Sequence, residues 1–207
     1  MNNSVLNILN STRVIPVVVI DNLEDAVPLS QALVDGGLKV LEVTLRTPVA
    51  LESISAIKAA IPEAIVGTGT VICPKTLEQS LNVNADFLVS PGVTSNLLDA
   101  AKQNNAPLLP GAATASEVMR LLDLDYQAMK FFPAAAAGGV NMLKSFAGPL
   151  PQITFCPTGG IKLSNANDYL SLSNVACVGG TWMLDKQLIT NKDWSAISEL
   201  AKQASQL

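Results

Sequence analysis

Short runs rich in β-branched residues recur along this chain, and amphipathic stretches lie between them. Such an alternation predicts parallel strands that are each followed by a helix. The predicted strands are Val14–Ile20, Val40–Thr44, Ile65–Gly67, Phe87–Ser90, Pro107–Leu109, Ala128–Phe131, Ile153–Cys156 and Val175–Val178. The predicted helices are Glu24–Val34, Pro48–Ala60, Pro74–Asn82, Ser95–Asn104, Ser116–Leu122, Val140–Phe146, Asn165–Leu172 and Trp194–Gln206.

The number of strand–helix units separates two α/β architectures. Eight units in 207 residues favour a closed (β/α)₈ TIM barrel, because such barrels routinely occupy ~200 to 250 residues as one domain. An open doubly wound sheet is disfavoured, since no Gly-rich dinucleotide fingerprint follows the first strand. We therefore expect a single barrel domain over residues 1–207, with a short N-terminal helix, Ser4–Leu9, that covers the barrel bottom.

The absence of histidine excludes Ser-His-Asp triads, Cys-His dyads and the commonest transition-metal ligand. Any chemistry must therefore run on lysine, arginine, carboxylates, hydroxyls and backbone groups. A formal charge of −4 leaves no broad basic face for a nucleic acid or an anionic membrane. Neither of those partners is expected, and an anionic small molecule would have to be held locally.

The sequence also indicates the cellular compartment and the oligomeric state of the protein. The N-terminus lacks a signal-peptide pattern, no long apolar span occurs, and Cys73, Cys156 and Cys177 are scattered as reduced thiols would be. We therefore expect a cytoplasmic protein. Hydrophobic residues make up 49% and charged residues 14% of the chain, which favours an apolar subunit interface and a homo-oligomer.

Polar residues late in apolar strands are the informative ones, because the active sites of barrels lie at the carboxyl ends of their strands. In the second unit, the two-residue period of a strand sends Glu42, Thr44 and Arg46 to the same side. If that side is the interior, a carboxylate and a guanidinium share the barrel mouth. The alternative is an outward-facing edge with a structural ion pair.

Lys130 lies in the middle of the apolar sixth strand, whereas most of the other lysines lie in helical or loop stretches. Burial disfavours the charged ammonium and makes the neutral, nucleophilic amine accessible. A neutral amine is what imine formation with a ketone requires. The alternative is a lysine that pairs with Glu42 for structure only.

Two glycine pairs follow the last two strands, Gly159-Gly160 and Gly179-Gly180, each next to a threonine. Loops after the seventh and eighth strands of such barrels recurrently bind phosphate, because bare backbone N–H groups approach its oxygens closely. A glycine pair can also simply make a turn, but two pairs in these two loops favour a phosphate site. Thr70, after the third strand, offers a hydroxyl to a carboxylate.

These motifs resemble the 2-keto-3-deoxy-6-phosphogluconate (KDPG) aldolase family, bacterial class I aldolases of the Entner–Doudoroff route. The resemblance runs in order over about residues 13 to 183. The segments that carry it are Glu42–Thr47, Gly67–Val71, Ser90–Gly92, Lys130–Ala134 and Pro157–Ile161.

The resemblance implies a lyase of carbohydrate metabolism that cleaves KDPG to pyruvate and glyceraldehyde 3-phosphate. It also implies action on 4-hydroxy-2-oxoglutarate (KHG), a homotrimer, and neither metal nor cofactor. Lys130 would form the Schiff base and Glu42 would move protons. The residues implied in substrate binding are Arg46 and Thr70 for the carboxylate, Phe132 and Pro91 as walls, and Thr158, Gly159, Gly160 and Thr181 for the distal hydroxyls and phosphate.

Two positions depart from the family pattern. Ala134–Ala137 is apolar where relatives carry Glu and Asn, and Thr181 stands where many members have serine. The first departure leaves substrate preference open, so an aldolase for the 6-phosphogalactonate epimer is an alternative. A second alternative is a non-catalytic barrel that binds a phosphorylated ligand, which the retained Glu42, Arg46 and Lys130 disfavour.

Overall fold

Nine short strands and ten α-helices alternate in the computed structural model, which describes residues 2–207, with side chains from Ser4 onward. The strands are β1 (Val14–Val18), β2 (Val40–Thr44), β3 (Ile65–Gly69), β4 (Leu88–Val89), β5 (Leu108–Leu109), β6 (Gly111–Ala112), β7 (Ala128–Phe131), β8 (Thr154–Pro157) and β9 (Val178–Gly180). The helices are α1 (Asn2–Asn10), α2 (Ala26–Asp35), α3 (Ala50–Ala60), α4 (Pro74–Asn82), α5 (Ser95–Gln103), α6 (Ala115–Leu122), α7 (Gly139–Ala147), α8 (Leu163–Leu170), α9 (Lys186–Thr190) and α10 (Trp194–Ser205).

The strands form a closed parallel barrel. Hydrogen-bonded neighbours run from β9 through β1, β2, β3 and β4 to β5, and from β6 through β7 to β8. Pro110 separates β5 from β6, so this stretch pairs with β4 before the proline and with β7 after it. A bridge between Thr158 and Gly179 joins β8 to β9. With β5 and β6 sharing one place, the ring has eight strand positions, which confirms the predicted (β/α)₈ barrel.

The N-terminal ends of the strands enclose a layer of buried apolar side chains, and α1 covers this layer. Val5 and Leu9 of α1 pack with the inward side chains Ile15, Val40 and Phe87, all at most 2% exposed. Burying one such aliphatic side chain contributes ~1.5–3 kcal/mol. This packing confirms the prediction that the initial helix covers the barrel bottom.

Aromatic packing fixes β7 and β8 from outside the barrel. Phe131 of β7 and Phe155 of β8 lie 6.3 Å apart between ring centroids, and Phe146 of α7 lies 6.2 and 5.8 Å from them. Such pairs add ~0.5–1.5 kcal/mol beyond the area they bury. Because Phe131 faces out, its neighbour Lys130 faces in.

Several predicted boundaries were wrong by a few residues. The first strand ends at Val18, two residues early, and the eighth is Val178–Gly180 instead of Val175–Val178. Its glycines are extended because β1 supplies the pairing, with Val14 opposite Val178. The short helix α9 was not predicted at all, although the Asp185 side chain caps it by accepting from the N–H groups of Gln187 and Leu188.

The cysteines behave as predicted, because Cys73, Cys156 and Cys177 are all free. Cys156 and Cys177 are buried beside each other inside the barrel. Their hydrogen bond and the burial raise the pKa of the Cys177 thiol. Cys177 therefore stays protonated, and the two side chains pack as small apolar groups. Within residues 2–207, no helix combines the length and the apolar character that crossing a membrane requires.

Candidate active site

Lys130 and Glu42 meet across the interior of the barrel. They stand on β7 and β2, on opposite sides of the ring, and their side chains face inward. The Nζ atom of Lys130 lies 3.0 Å from Oε1 and 3.3 Å from Oε2 of Glu42. Lys130 is 5% exposed and Glu42 is 4% exposed. The interpretation of Glu42 as part of an outward-facing edge is therefore wrong.

Burying two charges in this way is unfavourable unless each is compensated. The carboxylate accepts from Nζ through both oxygens, and the ring of Phe132 lies 5.5 Å from the same ammonium nitrogen. A cation over an aromatic face gains ~0.5–2 kcal/mol, with more where water is excluded. The Nζ–Oε1 separation is within hydrogen-bond distance, so the carboxylate lies directly beside the amine.

Arg46 and Thr70 stand above this pair at the barrel mouth. The Nε–H of Arg46 donates to Oγ1 of Thr70 over 3.3 Å, and the guanidinium is exposed. Thr70 has a φ of 63°, a left-handed conformation that is uncommon for a β-branched residue. A guanidinium and a hydroxyl held together in this way can bind a carboxylate from two directions.

The loop after β8 presents a hydroxyl and two bare peptide groups. Thr158 is buried, and its Oγ1 has no hydrogen-bond partner among the described residues. Gly159 and Gly160 follow with φ values of 104° and 76°. Successive N–H groups in such a turn form a concave site that suits an anion.

The alanine run after β7 is held against this loop. The N–H of Ala134 donates to the Thr158 carbonyl over 2.8 Å, and that of Ala135 to the Gly159 carbonyl over 3.0 Å. A methyl group at Gly160 would lie 2.5 Å from the Cβ of Ala135, which is too close for both. The run is thus an ordered, uncharged wall beside the glycine pair.

The remaining predicted residues lie around the same mouth. Phe132 stands beside Lys130, and the Pro91 backbone packs against Gly111 of β6, where a side chain would collide with it. Thr181, after β9, is exposed and shares with Arg46 the lining of a cavity of about 670 Å³. Sequence reasoning therefore found residues that the fold brings to one end of the barrel.

Two features near the mouth were not predicted. Lys192 donates to Glu24 over 2.7 Å and lies 3.5 Å from Asp25, and the hydrogen bond with Glu24 raises the pKa of Lys192. Glu24 and Lys192 are 168 positions apart in the sequence, so no local pattern could reveal the contact. The second feature is Gly69. The predicted third strand ended at Gly67, but β3 continues to Gly69, which lies beneath the Glu42 carboxylate.

The assembled groups define what the site can do. A buried amine beside a proton acceptor suits attack on a carbonyl carbon, and a guanidinium above it suits a carboxylate on that same molecule. The turn after β8 suits an anion at the far end of the ligand. Together these groups suit imine chemistry on a keto acid that carries a second anionic group.

Comparison with known proteins agrees with this description. The family described as "Aldolase: KDPG and KHG aldolase" matches residues 5–200. The KHG/KDPG aldolase of Escherichia coli K12 is 48% identical over 198 residues, which cover 96% of this chain and 93% of that protein.

Two solved structures are also similar. The KDPG aldolase of Legionella pneumophila, with pyruvate captured as a covalent carbinolamine, has a TM-score of 0.93 at 48% identity and covers 96% of each chain. The enzyme of Zymomonas mobilis ZM4 with 3-phosphoglycerate has a TM-score of 0.94 at 45% identity, and the match covers 99% of this chain and 96% of that one.

Proposed function

This chain belongs to the KDPG and KHG aldolase family, and from that premise we propose that Lys130 is the amine that attacks the substrate's keto group. The chain is a class I aldolase that cleaves KDPG to pyruvate and glyceraldehyde 3-phosphate and KHG to pyruvate and glyoxylate. The single observation that carries the assignment of Lys130 is its buried Nζ, 3.0 Å from the Glu42 carboxylate inside the barrel.

Imine formation begins with a proton transfer. Glu42 takes a proton from the ammonium of Lys130, and the neutral amine attacks C2 of the keto acid. The resulting carbinolamine loses its oxygen as water when Glu42 returns the proton. The protonated imine is an electron sink next to C3.

The protonated imine allows the C3–C4 bond to break, because it accepts the electron pair of that bond. Glu42 accepts the proton of the C4 hydroxyl, directly or through one water, as C4 becomes the aldehyde carbon. The bond's electron pair moves into the imine and forms an enamine, and the aldehyde leaves. Glu42 then gives the proton from the C4 hydroxyl to C3 of the enamine, and water hydrolyses the protonated imine, which releases pyruvate and returns Lys130 to its ammonium form.

The remaining residues orient the substrate. Arg46 and Thr70 bind the carboxylate next to C2, which fixes the carbonyl beneath them, and this orientation supplies part of the rate. Phe132 and Pro91 form the walls. The distal hydroxyls and phosphate are bound by Thr158, Gly159, Gly160 and Thr181. The unpartnered hydroxyl of Thr158 supports this assignment, since a buried donor needs an acceptor.

Lys130→Arg tests the nucleophile. Arginine keeps a cation opposite Glu42 but lacks a primary amine that can form the imine, so pyruvate release should fall at least ~1,000-fold. The assay couples pyruvate to lactate dehydrogenase, with KDPG, its galactonate epimer and KHG compared side by side. Lys102→Arg, on the exposed face of α5, is the matched control and should keep full activity.

The same series decides between the alternatives. The KDPG assignment expects KDPG to be cleaved faster than its epimer, and the reverse order would make the chain an aldolase for the epimer. Absence of pyruvate from all three substrates would leave a barrel that only binds phosphorylated ligands. An active Lys130→Arg variant would remove Lys130 from the imine step.

Glu42→Gln tests the proton relay. Glutamine keeps the size of the side chain but accepts protons poorly, so kcat should fall ~100- to 10,000-fold. Exchange of the methyl protons of pyruvate with deuterated water, followed by NMR, should be lost as well. Glu63→Gln, on the exposed loop after α3, is the control. Unchanged methyl exchange in Glu42→Gln would contradict the acid–base role.

We also propose that the chain assembles as a homotrimer in the cytoplasm. Exposed apolar side chains support an interface, among them Ile72 and Met119, each 56% exposed. Three free thiols suit a reducing compartment. Light scattering coupled to gel filtration should give three times the chain mass of 21.7 kDa. A mass of one or two chains would contradict the trimer.

A further inference from the structure

The Glu42 carboxylate does not lie over the residue that stands opposite Glu42 on the neighbouring strand. Glu42 stands opposite Gly67 in the register of β2 and β3, and Thr44 stands opposite Gly69. The side chain of Glu42 leans toward the carboxyl end of the strands and passes over the Cα of Gly69. On this path its Oε1 lies 3.0 Å from Lys130 Nζ.

Gly69 leaves the space that this path requires. A methyl group at Gly69 would lie 2.8 Å from Cγ and 2.9 Å from Cδ of Glu42, and still closer to Oε1. Carbon atoms in contact prefer separations of ~3.5–4.0 Å. Oε1 is also the carboxylate oxygen nearer to the amine. A side chain at this position would therefore displace the oxygen that pairs with Lys130.

Backbone conformation does not explain the glycine. Gly69 lies outside the left-handed region, unlike Gly159 and Gly160, so an alanine could adopt its φ. The three atoms nearest to such a methyl group all belong to Glu42, so every other atom outside Gly69 and its chain neighbours lies at least 2.9 Å away. Because these atoms form the end of a flexible side chain, the chain can fold around an alanine by moving them.

We infer that Gly69 is a positioning residue that acts through Glu42, holding the carboxylate against Lys130 by offering no side chain beneath it. This inference rests on the proposed role of Glu42 and extends it to the residue that sets its geometry. Since a misplacement of ~1 Å can lower a rate ~100-fold, Gly69→Ala should disable catalysis while leaving the barrel intact.

Gly67→Ala is the matched control, because Gly67 precedes Gly69 by two positions and faces the same way. A methyl group there would lie 2.5 to 2.6 Å from three ring atoms of Phe87, whose side chain is fully buried in the core. The two variants should therefore differ in their effect on the stability of the fold. Gly67→Ala should lower the melting temperature by several degrees, whereas Gly69→Ala should leave it within about two degrees of the wild type.

The experiment is a double-mutant cycle between Gly69→Ala and Glu42→Gln, measured by kcat and KM for pyruvate release and by methyl exchange. In the wild-type background, Gly69→Ala should lower kcat ~100-fold with KM changed less than ~3-fold. In the Glu42→Gln background the further loss should be under ~3-fold, because residues that act through one group are non-additive. A kcat within threefold of wild type, or an equal loss in both backgrounds, would overturn the inference.

Two further measurements keep the test decisive. If Gly69→Ala alone does not fold, the double variant Glu42→Ala/Gly69→Ala is compared with Glu42→Ala. The two should have the same melting temperature, because truncation of Glu42 removes the colliding atoms. A lower melting temperature of the double variant would overturn the inference. The wild type and Glu42→Gln separate the two claims. An active wild type, an impaired Glu42→Gln and an unaffected Gly69→Ala overturn this inference only, whereas an inactive wild type overturns the proposed function.

Discussion

The buried contact between Lys130 and Glu42 is the interaction on which the site depends. Two ionisable groups on opposite sides of the ring meet in the buried interior of the barrel, and each is compensated by the other. Removing either partner would leave an uncompensated buried charge. The same contact holds a carboxylate within hydrogen-bond distance of an amine in a chain that has no histidine.

The interior of the barrel is organised in layers around that contact. Below it, side chains such as Ile15, Val40 and Phe87 pack against α1 and fill the bottom of the barrel. Above it, Arg46 and Thr70 meet at the mouth, where solvent reaches them. Small residues make room between the layers, with Gly69 beneath Glu42 and Gly179 beside the Thr158 hydroxyl. Polarity therefore rises along the barrel axis toward the mouth.

Much of this arrangement could be predicted, because strand periodicity is a local property. Parity placed Glu42, Thr44 and Arg46 on one side of a strand, and the apolar strand around Lys130 indicated a buried amine. The order of the motifs placed Thr158 directly after the strand that is β8 in the structure. Other features depend on contacts between distant segments. Pairing with β1 extends the glycines of β9, and the collision that excludes a side chain at Gly69 exists only once Glu42 leans across β3. A glycine inside a strand signals close approach, but the sequence does not name what approaches.

The most direct test of the central claim is to trap the imine itself. Incubation with pyruvate and borohydride should reduce the imine to a stable secondary amine, and peptide mapping by mass spectrometry should then place a three-carbon adduct on Lys130. Prior reduction in this way should abolish cleavage of KDPG in proportion to the adduct formed. An adduct on a different lysine, or complete inactivation with Lys130 unmodified, would contradict the account.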